Sequence, residues 1–236
     1  MSIKCREYDY FYKGQSNLRI VQVSDLHNNK FKNGELIQRI RELSPNLIAV
    51  TGDFLDRHRP NDREESLNFF KQATDICTVY CIEGNHEYAL KKFVDWQTLI
   101  RPYGVRILSN SFEDITIMDS ELRLAGTTEK STAAQISAMQ TKERLTITLA
   151  HRPERINSYQ KADCELVLCG HAHGGQVRIF GQGLFAPEQG VFPKYTRGIY
   201  KCGSTTMIVS AGLGNTVCVP RIFDPYELVL INLKCK

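Results

Sequence analysis

Five short apolar runs in this chain, at residues 18–23, 47–51, 78–82, 145–149 and 165–169, each lead to side chains able to grip a cation. The first leads to Ser24-Asp25-Leu26-His27 and the second to Gly52-Asp53-Phe54-Leu55-Asp56-Arg57. The third leads to Gly84-Asn85-His86-Glu87, the fourth to Ala150-His151, and the fifth to Gly170-His171-Ala172-His173. Five of the six histidines stand at these exits; His58 alone does not. Any one of them, taken singly, would be read as an ordinary core or surface histidine. As a set they cannot be, because carboxylates, an amide and imidazoles gathered together are costly to desolvate unless cations hold them.

The donors are oxygen and imidazole, with no thiolate, a set that favours Mn, Fe or Zn over a structural cysteine-zinc site. Asp25 and His27 are two apart, so on an extended segment both side chains point to one side, and His171 and His173 are predicted to do the same. Two such pairs and a carboxylate able to bridge supply enough ligands for two adjacent divalent cations. The chemistry expected of such a pair is hydrolysis of a phosphate ester.

The elements that must position these residues alternate short apolar runs with amphipathic stretches, the pattern of an α/β domain. The five runs read as buried strands. Leu36, Ile37, Ile40 and Leu43 recur at helical spacing and end at Pro45; Leu67, Phe70 and Ala73 form a second stripe, and Leu90, Phe93, Trp96 and Ile100 predict a third helix. Residues 112–118 and 121–125 alternate around Asp119-Ser120 as an antiparallel hairpin would. Further strand-like pieces lie at 176–180, 206–210 and 227–233. In open α/β sheets ligands bind beyond the carboxyl ends of the strands, so side-by-side strands would bring the five exits together.

At 236 residues the chain suits one domain, expected to span 1–236. A net charge of +4 and no basic stripe interleaved with aromatics give no reason to expect nucleic acid. The eight cysteines, Cys5, Cys77, Cys81, Cys164, Cys169, Cys202, Cys218 and Cys235, form no CxxC pair and several sit in apolar runs. They read as reduced thiols in a cytoplasmic setting. No apolar run approaches the roughly 18 to 20 residues that cross a bilayer.

The ordered set Asp25-x-His27, Gly52-Asp53, Gly84-Asn85-His86-Glu87, His151 and Gly170-His171-x-His173 resembles the calcineurin-like metallophosphoesterase superfamily. Gly174 to Ile179, Gly183 to Pro187 and the 212–222 stretch are similar to its bacterial YkuE and YaeI type phosphodiesterases. The resemblance implies a four-layer α/β/β/α sandwich of two mixed sheets flanked by helices, with a dinuclear site. Carried over by position, Asp25, His27 and His173 would hold one metal, Asn85, His151 and His171 the other, and Asp53 would bridge them. Manganese is the favoured ion. His86 would face the substrate instead of a metal; Asp56 would orient it, and Arg57 would contact phosphate.

The mechanism expected on this resemblance is in-line attack by a metal-bridging hydroxide, with His86 as general acid. A phosphodiesterase is favoured. The motifs do not separate it from a phosphomonoesterase or protein phosphatase, and a non-catalytic scaffold with this fold is the alternative of another class. The expected partner is a phosphate-ester small molecule or a lipid-linked phosphate. The glycine- and proline-rich stretch 181–198 is placed to form a loop over the site. Members of the branch often begin with a membrane or export segment that is not seen before Ile3, which leaves membrane association and a peripheral membrane contact as the alternative location.

Overall fold

The computed structural model describes residues 2–215 and 220–236. In chain order, β1 (Ile3–Tyr12), β2 (Leu18–Val23), α1 (Glu35–Leu43), β3 (Leu47–Val50), α2 (Glu64–Thr74) and β4 (Val79–Cys81) come first. Short helices α3 (Asn85–Leu90) and α4 (Trp96–Ile100) follow, then β5 (Arg106–Ile107) and the hairpin of β6 (Ser111–Ile117) and β7 (Ser120–Gly126). The next elements are α5 (Ala133–Ser137), β8 (Leu145–Leu149), α6 (Ile156–Lys161) and β9 (Leu166–Cys169). Two small hairpins, β10 (Arg178–Ile179) with β11 (Gln182–Gly183) and β12 (Phe185–Ala186) with β13 (Gly190–Val191), precede β14 (Gly198–Cys202), β15 (Thr205–Val209) and β16 (Tyr226–Cys235).

Two six-stranded mixed sheets result, ordered β1-β16-β2-β3-β4-β5 and β14-β15-β9-β8-β7-β6. The apolar runs are continuous because both faces of their strands are covered. Along β2, Leu18 and Ile20 face the second sheet, while Val21 and Val23 face the helices. Leu47 and Ala49 of β3 point inward against Leu124, Ile147 and Leu168, and Ile48 and Val50 point outward to Ile40, Phe70 and Trp96. On the far side, Val167, Cys169, Met207 and Val209 pack on Ile136, Ile156 and Tyr159 of α5 and α6. The layers are therefore α/β/β/α, as the resemblance implied. Each fully buried large apolar side chain contributes roughly 1.5–3 kcal/mol.

The predicted third helix is two: α3 stops at Leu90, Phe93 is 83% exposed, and α4 starts afresh at Trp96 with the Asp95 carboxylate accepting from the Gln97 N–H at 3.2 Å. The strand expected at 176–180 shrinks to two residues, because Phe180 turns the chain at φ 48°. The five exits do not come from neighbouring strands of one sheet, since β2, β3 and β4 lie in one and β8 and β9 in the other. The polar, aromatic N-terminus forms β1, an edge strand in which Tyr8, Tyr10 and Tyr12 turn toward the core and Glu7, Asp9 and Phe11 outward. Its charged outer face is what hid it. The seven described cysteines form no disulfide, and Cys218 lies outside the described residues. Among the described residues, no helix is long and apolar enough to cross a membrane.

Candidate metal centre

The two sheets are stitched together where their strands end. Asp25 N–H donates to Gly52 O at 3.1 Å and His27 N–H to Asp53 O at 3.0 Å, joining the exits of β2 and β3. Within the second sheet Gly170 N–H donates to His151 O at 3.0 Å, joining the exits of β9 and β8, and across the sandwich the Gln22 amide donates to Cys169 O at 2.8 Å. The Asp25 carboxylate accepts from the His171 N–H at 3.1 Å. Such close approach needs glycine: a side chain at Gly170 would strike Ser24 and Asp25, and one at Gly84 would strike Asp53.

Asp25, His27, Asp53, His86, His151, His171 and His173 are thereby gathered and buried, each no more than 4% exposed. The two-apart spacing does not put either pair of side chains on one side of an extended strand. Asp25 and His27 lie at φ 53° and 46°, and His171 and His173 at 68° and 45°, so neither pair is on an extended segment. His171 turns to His151, whereas His173 turns to His27.

One half of the centre brings together Asp25, His27 and His173. His27 Nε2 and His173 Nε2 are 3.2 Å apart, and Asp25 Oδ1 lies 3.9 and 3.7 Å from them. Atoms at such separations can all reach one small cation at the roughly 2.0–2.2 Å of an imidazole or carboxylate bond. The two rings stack with centroids 5.0 Å apart, and neither Nδ1 has a hydrogen-bond partner among the described residues. Burial drives His27 down to about 4 and His173 down to about 3, so both are neutral at pH 7.

The other half surrounds His151. Its Nδ1 lies 2.8 Å from Thr51 O, a carbonyl that can only accept, so Nδ1 carries the proton and Nε2 a lone pair. That lone pair faces Asp53 Oδ2 at 3.1 Å, Asn85 Oδ1 at 3.1 Å and His171 Nδ1 at 3.2 Å. His171 Nε2 is 2.6 Å from Glu188 Oε2 and donates there, which leaves its Nδ1 as a further acceptor. Four acceptors thus converge, and one proton could satisfy only one contact. Burial opposes charge on His151, but Asp53 outweighs it and pushes the imidazole up to about 10, the site's demand for positive charge expressed in a proton. These residues fit a divalent cation. Asp53 reaches both halves, with Oδ2 3.9 Å from His27 Nε2.

His86 stands at the mouth. Its Nδ1 accepts the Arg57 backbone N–H at 3.0 Å, so in the neutral ring Nε2 bears hydrogen and has no lone pair for a metal. Asp56 Oδ1 is 3.6 Å from the same Nδ1, an ion-pair distance longer than a hydrogen bond. Burial opposes protonation of His86, yet Asp56, Asp53 and Glu87 together raise its pKa. Arg57, exposed, lines the cavity of about 190 Å³ with His58, Arg152, Phe185, Pro187 and Glu188.

Three residues given no role by the sequence reading shape the site. Glu87, fully buried and shifted up to about 7 by burial and Asp53, accepts the backbone N–H groups of Asp53, Leu55 and Gly84, each at 2.8 Å. It ties the β3 and β4 exits together. Glu188, on the turn between β12 and β13, places one oxygen on His171 and the other 2.9 Å from Arg152 Nη1. Glu129 holds Arg152 Nε at 2.7 Å. Glu154, His171 and Glu188 also cluster tightly enough for a metal, but the Arg152 guanidinium already occupies that position.

A profile of the calcineurin-like phosphoesterase family matches residues 18–175. An uncharacterized metallophosphoesterase of Campylobacter jejuni, Cj0846, is 30% identical over 94% of this chain, which spans 60% of that protein's length. The uncharacterized metallophosphoesterase YkuE of Bacillus subtilis is 27% identical, with 94% of this chain and 80% of YkuE covered. Among solved structures, TT1561 of Thermus thermophilus superposes with a TM-score of 0.52 over 84% of this chain and 90% of its own, at 13% identity. A 5'-nucleotidase precursor of the same organism gives 0.53 over 84% of this chain and 49% of its own, also at 13% identity. At that identity the likeness concerns the fold alone.

Proposed function

The chain belongs to the calcineurin-like phosphoesterase family, and from that premise we propose that it is a metal-dependent phosphodiesterase working through two divalent cations. The observation that carries this is the convergence of lone pairs from Asp53, Asn85, His151 and His171 on one point. Asn85, His151 and His171 would hold one cation, Asp25, His27 and His173 the other, and Asp53 would serve both. Bound there, the cations would supply Lewis acidity, offsetting phosphate charge and acidifying a water to near neutrality. Manganese suits the mixed oxygen and imidazole donors.

The chain's own residues have separate tasks. Arg57 is placed at the cavity wall to take a phosphate oxygen as a charge-assisted hydrogen bond. His86 delivers a proton from Nε2 to the leaving oxygen on the side opposite the attack. To be doubly protonated beforehand, its Nδ1 must exchange the Arg57 N–H for the Asp56 carboxylate 3.6 Å away. Asp56 thus sets how readily the acid form is reached.

A diester is favoured over a monoester by the cavity's charges. The Arg152 guanidinium is engaged by Glu129, Glu154 and Glu188, which leaves less positive charge for a dianion, while Phe185 and Pro187 offer an apolar wall to a second ester arm. The seven described thiols, none of them bridged, accord with a reducing, cytoplasmic compartment.

Assays on bis-nitrophenyl phosphate and nitrophenyl phosphate with manganese, with metal counted by mass spectrometry, test this. Wild type should carry two ions per chain and prefer the diester; Asp53→Asn should lose both ions and turnover. Full metal content in Asp53→Asn, or a preference for the monoester, would overturn the corresponding half of the proposal.

A further inference from the structure

The two small hairpins beside the cavity form one surface with the segment around Ile222. Val177 bridges to Ile222, the Arg178 N–H donates to Ile222 O at 2.9 Å, and the Phe192 N–H donates to Leu184 O at 2.9 Å. Of the thirteen large apolar side chains exposed among the described residues, seven stand here, including Phe180 at 106%, Phe223 at 84% and Phe192 at 69%. Soluble surfaces scatter such residues singly; a contiguous group marks a protein or membrane contact. Phe180, Phe192 and Phe223 also occupy φ 48°, 54° and 54°, a costly backbone for a bulky residue that finds no burial within this chain.

The charges around these rings have one outward sign. Between residues 176 and 203 the carboxylates number one, Glu188, and it is turned inward to Arg152 and His171. Arg178 and Arg197 line the groove of about 370 Å³ between Phe180 and Phe223. Arg197 is paired with the buried Asp224 at 3.2 Å and Glu227 at 3.7 Å, so the outward cations are chiefly Lys194 and Lys201, exposed nearby in sequence. Aromatic tips projecting from separate turns, with cations behind them, match the apolar boundary and the headgroups of an anionic bilayer better than a flat protein face. Phe185, 52% exposed on this surface, also lines the catalytic cavity, so the surface runs into the cavity mouth.

We propose that this face docks the protein onto an anionic lipid bilayer, presenting the cavity with a phosphodiester whose second arm is a lipid tail. The substrate half of this rests on the phosphoesterase reading; the docking half does not.

Flotation with vesicles of phosphatidylcholine, alone or mixed with phosphatidylglycerol, tests the docking. Wild type should float with the anionic vesicles. The double variant Phe180→Asn and Phe223→Asn should lose partitioning by on the order of a hundredfold, about tenfold per ring removed from the apolar boundary. Asparagine tolerates positive φ, so its melting temperature should not fall. Both variant and wild type should hydrolyse soluble bis-nitrophenyl phosphate equally, while the variant should be slower on a long-alkyl nitrophenyl diester carried in the vesicles.

Absence of wild-type flotation, or equal flotation of the variant, overturns the docking. A wild-type dimer that the same substitutions dissociate, without vesicle binding, assigns the face to a second copy and overturns it too. Vesicle binding without hydrolysis of either diester would instead sink the phosphoesterase reading and leave the docking standing. Equal hydrolysis of the vesicle-borne diester by wild type and variant removes the lipid-linked substrate.

Discussion

The two halves of the centre are built from the same kinds of side chain but are held in different ways. Around His151, each imidazole has its outer nitrogen engaged, by Thr51 O at 2.8 Å and by Glu188 at 2.6 Å. Around His27 and His173, neither Nδ1 has a partner among the described residues, and stacked rings within a buried shell set the orientation. Partners fix a tautomer and a direction and raise basicity; packing fixes a position and leaves the proton to the environment. The difference implies that the His151 half depends on a few nameable contacts, while the His27 half depends on the fold as a whole.

The largest predicted effect removes the distinction. Gly84 abuts Asp53, which lies near the imidazoles of both halves, and Glu87 clamps the same two loops. Gly84→Ala pushes a methyl group into the Asp53 carboxylate and backbone, neither able to retreat. Both metals should be lost together, and overpacking of this kind costs about 1–3 kcal/mol of stability. Metal counting and thermal melting of the variant check this. Retention of one metal would mean that the halves are assembled independently.

The middle effect separates the halves. Glu188→Ala removes the acceptor that aims His171, and loss of such an outer partner weakens metal affinity by about 10- to 100-fold. Only one of two ions should weaken in competition titration against a chelator, and Glu188→Gln, which keeps an acceptor oxygen, should recover part of the loss. Equal weakening of both ions would show that Glu188 acts on the whole cavity instead of on one ring.

How far the centre could be read in advance follows the same division. The apolar strands and the residues at their ends were legible because burial on both faces writes a continuous run, and the turn after it is where polar side chains collect. The convergence of β2, β3 and β4 with β8 and β9 was legible only through resemblance, since no periodicity says that two sheets face each other. Asp25 and His27 were found at a strand end, but the shared direction argued from their spacing rests on a premise that fails, their backbone being left-handed. Glu188 carried no signal: it lies seventeen residues beyond His171, on a turn of irregular, glycine-rich sequence. Glu87 sat in plain view within Gly84-Asn85-His86-Glu87, where its bond to the Gly84 N–H is a local capping contact, yet its bonds from the Asp53 and Leu55 N–H groups depend on tertiary contact.

The smallest predicted effect probes the exception in the His27 half. Arg59 donates from Nη2 to the His27 carbonyl at 2.7 Å and from Nε to Asp56 at 3.0 Å. It adds a side-chain brace to the backbone bonds and the Asp25–His171 contact that this half already has, where neither imidazole has an Nδ1 partner among the described residues. Its side chain is 47% exposed, and a half-solvated ion pair contributes about 0–1 kcal/mol, no more than roughly fivefold in an equilibrium. Arg59→Ala should therefore shift affinity for the His27-side metal less than Glu188→Ala shifts the other. Turnover should drop only a few-fold, through the loosened Asp56 beside His86. If Arg59→Ala instead empties the His27 half as thoroughly as a ligand deletion, that half is braced by contacts after all, and packing is not what distinguishes it.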